Sequence, residues 1–274
     1  MHIIQAWRDL LHPGDATDFF KRVPMPPFEP DAVGYSRANA LWLPELSRLV
    51  YRHDVKEGAP TPQPSLDTFL AAANFNKRYF FFDKATDTQA MLVEHTGTPA
   101  YADLAFRGTE QVLKDLLIDL ELGKFTVAGT KMNVHDDFEK ALASVWGDIE
   151  TELNKLPANC PVFYTGHSLG AALATLAAAK RPPKALYTFG SPQVGNQAFV
   201  NSLPNIIPIH RVVDDQDVVT TLPPAFVEFQ HAGQEHKLPA PAKGFSLHHL
   251  FDPPKKLADH APIKYVERIF NEAA

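Results

Sequence analysis

Gly166-His167-Ser168-Leu169-Gly170 lies between a short apolar run, Pro161-Val162-Phe163-Tyr164-Thr165, and a stretch of small helix-forming residues from Ala171 to Lys180. Strand, G-x-S-x-G and helix in that order describe a nucleophile elbow, a turn tight enough to hold its serine in a strained backbone region. Residues two before and two after the serine must be small, because larger ones collide with the turn. The geometry presents the hydroxyl at a helix N-terminus, where the dipole and free amides favour a developing negative charge. The alternative is a glycine-rich turn joining a core strand to a core helix. The strand before, the helix after and Ala171 favour the nucleophile.

The 274 residues, with 45% hydrophobic content, are enough for one large core, and a single α/β domain over 1–274 is expected. The net charge of −6, without a block of like charges, gives no basic stripe for nucleic acid. The single cysteine, Cys160, leaves no intramolecular disulfide and reads as a small buried filler. No run is apolar over the length of a transmembrane helix. Charged residues interrupt the N-terminal apolar stretch Met1 to Leu11, so no secretory signal is visible and the compartment is left open.

Prolines mark an extended arm, Val23 to Pro30, within an N-terminal arm over 1–35. Ser36 caps a helix running to about Arg52, with Pro44 inside it as an expected kink. Arg78–Phe82, Ala90–Glu94 and Tyr101–Phe106 read as strands, the first two forming an antiparallel hairpin through the polar turn 84–88. An amphipathic stretch from Glu110 to Leu122, a strand near Lys131 to Val134 and a helix from Asp136 to Leu156 follow. After the elbow come a strand (Ala185–Phe189), a helix (Gly195–Leu203) and a strand (Ile206–Val213). Such alternation predicts an α/β fold with a mostly parallel central sheet covered by helices on both faces. Its active site belongs at the carboxyl ends of the strands.

A serine hydroxyl needs a histidine to take its proton and a carboxylate to orient that imidazole. On an α/β-hydrolase sheet the chain order is serine, acid, histidine. The strand ending at Val213 empties into Asp214-Asp215-Gln216-Asp217, where three carboxylates compete with one another and with a merely solvated acidic loop. Of the later histidines, His231 lies in a strand-like run and suits a structural role. His236 is a further candidate. His248-His249 lack a partner cluster at metal-ligand spacing. His260 precedes the last helix, Ala261 to Phe270, in a loop where a catalytic base belongs.

Several ordered motifs share one resemblance. Ser36-Arg37-Ala38-Asn39-Ala40, Leu46 to Tyr51, Ala105-Phe106-Arg107-Gly108-Thr109, Val134-His135-Asp136-Asp137-Phe138, Tyr187 to Asn196, Arg211 to Val219 with Leu222-Pro223-Pro224, and Asp259-His260 with Tyr265 together resemble the class 3 lipases, the group that includes fungal triacylglycerol lipases. Asp137 stands where that family usually has glycine. The resemblance implies the α/β-hydrolase fold and the triad Ser168, Asp217, His260. It also implies an oxyanion hole from the amides of Leu169 and Thr109. Arg107 reads as structural, pairing with a loop carboxylate.

The stretch 110–122 occupies the lid position, with Val112, Leu113, Leu116 and Leu117 on an apolar face that meets substrate. The family's usual tryptophan is absent from it, and an ordinary core helix is the competing reading. The implied activity is serine carboxylic-ester hydrolysis on acylglycerols, without cofactor or metal, in transient contact with a lipid–water interface. An esterase for soluble esters, feruloyl-type included, a phospholipase A1 and a catalytically silent interaction module are the alternatives.

Overall fold

The computed structural model describes residues 2–52, 62–108, 136–223, 228–239, 253 and 255–272. Among the described residues, seven strands form the central sheet in the order β1 (Phe75–Asp83), β2 (Thr88–His95), β3 (Ala102–Phe106), β4 (Val162–His167), β5 (Ala185–Phe189), β7 (Ile209–Asp214) and β9 (Gln234–Leu238). A separate two-stranded sheet pairs β6 (Gly195–Asn196) with β8 (Phe229–Gln230). The hairpin β1–β2 is antiparallel, as is β2–β3, while β3, β4, β5, β7 and β9 run parallel. The mostly parallel α/β sheet is therefore as expected. The expected helix at 195–203 is instead a short strand followed by the helix Gln197–Ser202, which Asn196 caps through its side chain. The expected strand at 131–134 lies outside the described residues.

Two apolar cores fill the two faces of the sheet, and the period of two along each strand decides which side chain enters which. Leu104, Phe106, Tyr164 and Leu186 meet the helices Asp136–Leu153 and Leu169–Lys180. Ala105, Phe163, Tyr187 and Phe189 meet the helix Arg37–Leu49. Leu169–Lys180 is apolar all round and buried, the character of a helix enclosed by other elements. Its alanines let it approach the sheet closely. Ser36 caps Arg37–Leu49 by accepting from the Asn39 N–H at 3.1 Å, and the helix runs through Pro44.

The N-terminal arm opens with a helix, ahead of its proline-marked run at 23–30. His2–Leu11 is a helix, because Trp7, Leu10 and Leu11 share one face. Those residues pack with Val219, Leu257, Ala261, Ile263 and Val266, beneath the loops that carry Asp217 and His260. The rest of the arm is pinned by the buried Arg48, whose guanidinium meets Asp18 and Glu45 at 2.8 Å each.

Candidate active site

Ser168 stands between β4 and the helix Leu169–Lys180 with φ 57° and ψ −127°, a left-handed conformation that a non-glycine residue holds only when its surroundings enforce it. Both elbow glycines are required by contact. A Cβ on Gly166 would lie 2.2 Å from the Gly170 carbonyl oxygen, and one on Gly170 would lie 2.2 Å from the Phe106 carbonyl oxygen. The second contact presses the start of the elbow helix against the end of β3. Gly108 lies against the same elbow, a Cβ there falling 3.3 Å from the His167 carbonyl oxygen and 3.5 Å from the Gly170 nitrogen, and the Leu169 N–H, in the first helical turn, lacks an intrahelical acceptor. The Ser168 N–H donates to the Phe189 carbonyl at 3.0 Å, so the elbow also hangs on the end of β5.

The acid loop leaves the end of β7. Asp217 is buried, and one carboxylate oxygen, Oδ1, accepts the Val219 N–H at 2.9 Å. The other, Oδ2, lies 2.7 Å from His260 Nδ1 and accepts the Tyr265 hydroxyl at 2.6 Å. With Nδ1 engaged, Nε2 is the nitrogen of His260 left for proton transfer. Ser168 Oγ and His260 Nε2 are both buried, and neither has a hydrogen-bond partner among the described residues. Serine–histidine bonds in enzymes without substrate are often loose and tighten only in the Michaelis complex.

Nucleophile and base meet through their neighbours. His167 Nε2–H donates to the main-chain carbonyl of His260 at 2.7 Å, and the two rings lie 4.5 Å apart. Burial, with a smaller contribution from His260, holds the His167 imidazole well below its ordinary range, so it stays neutral beside the base. Gly190, at φ +58°, closes the other side. A Cβ there would fall 2.8 Å from Asp217 Oδ2, 3.0 Å from the Tyr265 hydroxyl and 3.1 Å from His260 Cε1.

The competing carboxylates have other partners. Asp214 is bound by Arg268 and by the Gln216 N–H, and burial pushes its carboxyl up to about 6. Asp215 pairs with Lys237 at 2.5 Å on the surface. His231 Nε2–H donates to the Thr220 carbonyl at 2.8 Å and so braces the acid loop, and burial lowers its pKa to about 4. His236 belongs to a separate pair with His210, at 3.1 Å. Arg107 pairs with Asp87 at 2.5 Å, in line with its structural reading. Thr109, the lid positions Val112, Leu113, Leu116 and Leu117, and His248-His249 lie outside the described residues.

Spacing alone missed four contributors: His167, Gly190, Tyr265 as a donor to the acid, and Arg268. Tyr265 and Arg268 carry a usable signal, since positions three apart share a helix face.

A mostly parallel sheet with a strained serine at the carboxyl end of a central strand, and a carboxylate in the loop after a later strand paired with a histidine from the turn before the last helix, defines an α/β-hydrolase. Residues 104–227 match the family described as Lipase (class 3). A lipase of Rhizomucor miehei is 32% identical over 170 residues, covering 55% of this chain and 45% of the relative, so the chain spans less than half that relative's length. A solved triacylglycerol lipase, described as having a serine-protease triad as its catalytic centre, is 30% identical with a TM-score of 0.51, over 61% of this chain and 68% of that one. Lipase II from Rhizopus niveus shares the fold at 23% identity, with a TM-score of 0.58 over 75% of this chain and 83% of that one. The chain belongs to the class 3 lipase family.

Proposed function

We propose that the protein is a serine carboxylic-ester hydrolase acting on acylglycerols, with Ser168 as nucleophile, His260 as base and Asp217 as its orienting acid. The observation that carries the reading is a strained elbow serine whose neighbour His167 bonds the His260 main-chain carbonyl, beside a buried Asp217–His260 pair whose Nε2 is unengaged. Ser168 Oγ attacks the ester carbonyl as His260 Nε2 takes its proton. The N–H groups of Leu169 and Thr109 receive the oxyanion, each donor contributing about 3 kcal/mol of transition-state stabilisation. The tetrahedral intermediate collapses, the imidazolium protonates the departing alcohol, and an acyl-serine remains. Water, deprotonated by the same Nε2, then attacks the acyl carbon and releases the acid and free Ser168. The protein's own groups supply every proton transfer.

The likeness to a solved triacylglycerol lipase supports acylglycerols as the substrate class. Burial of Ser168 and His260 supports an opening step before substrate enters. We assign the covering role to 110–122 and transient contact with a lipid–water interface to its apolar face. Among the described residues no helix is long and apolar enough to cross a membrane.

Hydrolysis of emulsified triglyceride, measured beside a monomeric short-chain p-nitrophenyl ester, tests the proposal. Changing Leu116 and Leu117 to polar residues is expected to lower the emulsion rate at least about tenfold while sparing the soluble ester, since each leucine contributes about 1.5–3 kcal/mol when buried. A wild-type enzyme active only on the monomeric ester would be an esterase. A chain that reacts with neither ester nor fluorophosphonate would be the silent module. Parallel loss of melting temperature and both rates in the double variant would make 110–122 a core helix.

A further inference from the structure

Arg268 lies on the terminal helix Pro262–Asn271, three residues beyond Tyr265, and takes no part in the steps above. One nitrogen of its guanidinium, Nη1, bonds Asp214 at the end of β7. The other, Nη2, bonds Asp259 at 3.0 Å, immediately before the base. We infer that Arg268 is a positioning residue, a single guanidinium that sets the separation of Asp217 from His260 by clamping the carboxylates beside each. The inference rests on the reading of Asp217 and His260 as acid and base.

Asp214, Asp217 and Asp259 are three buried carboxylates converging on one corner of the sheet. Left to themselves they repel, and relief comes by moving the acid loop away from the histidine turn. Among the described residues, Arg268 is the cation bonded to two of them. Its side chain and that of Asp259 are each 10% exposed and that of Asp214 is 0%, so water does little to screen the cluster.

Geometry explains why the residue is arginine. The two contacts use two nitrogens of one rigid plane, which fixes the distance between the bound carboxylates. A lysine ammonium is a single point charge and imposes no such spacing. One end of the clamp is anchored, because Asp214 is paired with Leu238 in the β7–β9 ladder. Asp259 is the movable end, and it carries His260 with it.

The clamp is also coupled to the acid. Tyr265, on the same helix, donates to Asp217 Oδ2 and receives the Asp214 N–H at 3.4 Å. The terminal helix therefore grips the acid loop through Tyr265 and both flanking carboxylates through Arg268. On the opposite side the His167 bond to the His260 carbonyl holds the turn. Loss of Arg268 removes the side-chain bond that holds Asp259, and with it one of the restraints on that turn.

The test uses the full chain, monomeric p-nitrophenyl butyrate and the rate of Ser168 phosphonylation, at a temperature below the melting point of each variant. Arg268→Lys is expected to lower kcat and the phosphonylation rate about tenfold, with KM within about twofold. The neutral pair Arg268→Met with Asp214→Asn is expected to lose about 100-fold, the scale of a misplacement near 1 Å. Asp215→Asn, in the same loop but paired at the surface, is expected to match wild type. Folded Arg268 variants with wild-type kcat and phosphonylation would overturn the inference, even if they melt earlier. If the paired variant fails to fold, Arg268→Lys decides alone. A wild-type chain that is not phosphonylated would instead refute the reading of the site.

Discussion

The two halves of the candidate site are built differently. The nucleophile half is local: β4, five residues and a helix, strained at Ser168 and enforced by two backbone contacts at Gly166 and Gly170. The acid–base half is assembled at long range. His260 reaches Asp217 across 43 residues, Tyr265 reaches Asp217 across 48, and His167 reaches the His260 carbonyl across 93. A local device is specified by small residues at set spacings and tolerates almost no added volume. A long-range device depends on several moderate hydrogen bonds, and removing one should weaken it by degrees.

The largest effects test whether the halves act as one unit. Ser168→Ala and His260→Ala are each expected to lose on the order of 10⁶-fold in kcat, and the two together no more than either alone. Asp217→Asn follows at about 10⁴-fold, because the amide orients the wrong tautomer. Steady-state kinetics on a soluble ester decides it, and additive losses would separate the halves. Asp214→Asn or Asp215→Asn matching Asp217→Asn would place the acid elsewhere in the loop, and His231→Ala matching His260→Ala would move the base.

Gly170→Ala probes the local half. The added methyl meets the Phe106 carbonyl at 2.2 Å, backbone against backbone, with no flexible side chain to give way. A loss of at least about 3 kcal/mol in denaturant unfolding is expected, on the scale of the more severe overpacking mutations. Wild-type stability would mean the elbow is looser than its contacts imply.

His167→Phe probes the long-range half. It keeps a ring between β4 and His260 but removes the donor to the His260 carbonyl. A loss of about tenfold in kcat with little change in KM is expected, and His167→Gln, which returns an N–H near the same place, should recover part of it. Equal activity in the Phe and Gln variants would make the residue a filler.

The smallest effect on activity is expected at Asp103, in the centre of β3. Its carboxyl is fully buried, neither oxygen has a partner among the described residues, and burial raises its pKa well above the ordinary carboxylate range. The folded state therefore binds a proton that the unfolded state releases near pH 4. Stability is fully present below that value and falls as pH rises toward the folded pKa. Asp103→Val should leave kcat unchanged and raise stability by about 1–3 kcal/mol at pH 8, with a smaller gain at pH 5. Melting curves at both pH values check the sign. An equal gain at each would show that the carboxyl is ionised throughout.

The comparison also explains which parts of the molecule could be read before folding. Strand–turn–helix order, the hairpin at 84–88 and the alternation of strands and helices are short-range patterns. Ser168 and the parallel sheet were accordingly evident in the residues themselves. Residue spacing left Asp214, Asp215 and Asp217 in competition, and resemblance to a family was needed to single one out. In the fold they separate by partner: Arg268 for Asp214, Lys237 for Asp215, and His260 with Tyr265 for Asp217.

The arm at 1–35 shows the same limit. Its prolines mark an extended run only at 23–30, and the helix His2–Leu11 ahead of them has an apolar face that gains a partner only when the last helices fold beneath the site. The amino-acid sequence by itself determined the elbow, the mostly parallel character of the sheet and the residue types a hydrolase needs, because backbone sterics and side-chain periodicity act over a few residues. Tertiary structure alone decided which carboxylate meets which cation, that His167 stays neutral against the base, and that one arginine spans the acid loop and the histidine turn. Those outcomes depend on burial and distance between segments far apart in the chain, and no local pattern encodes either.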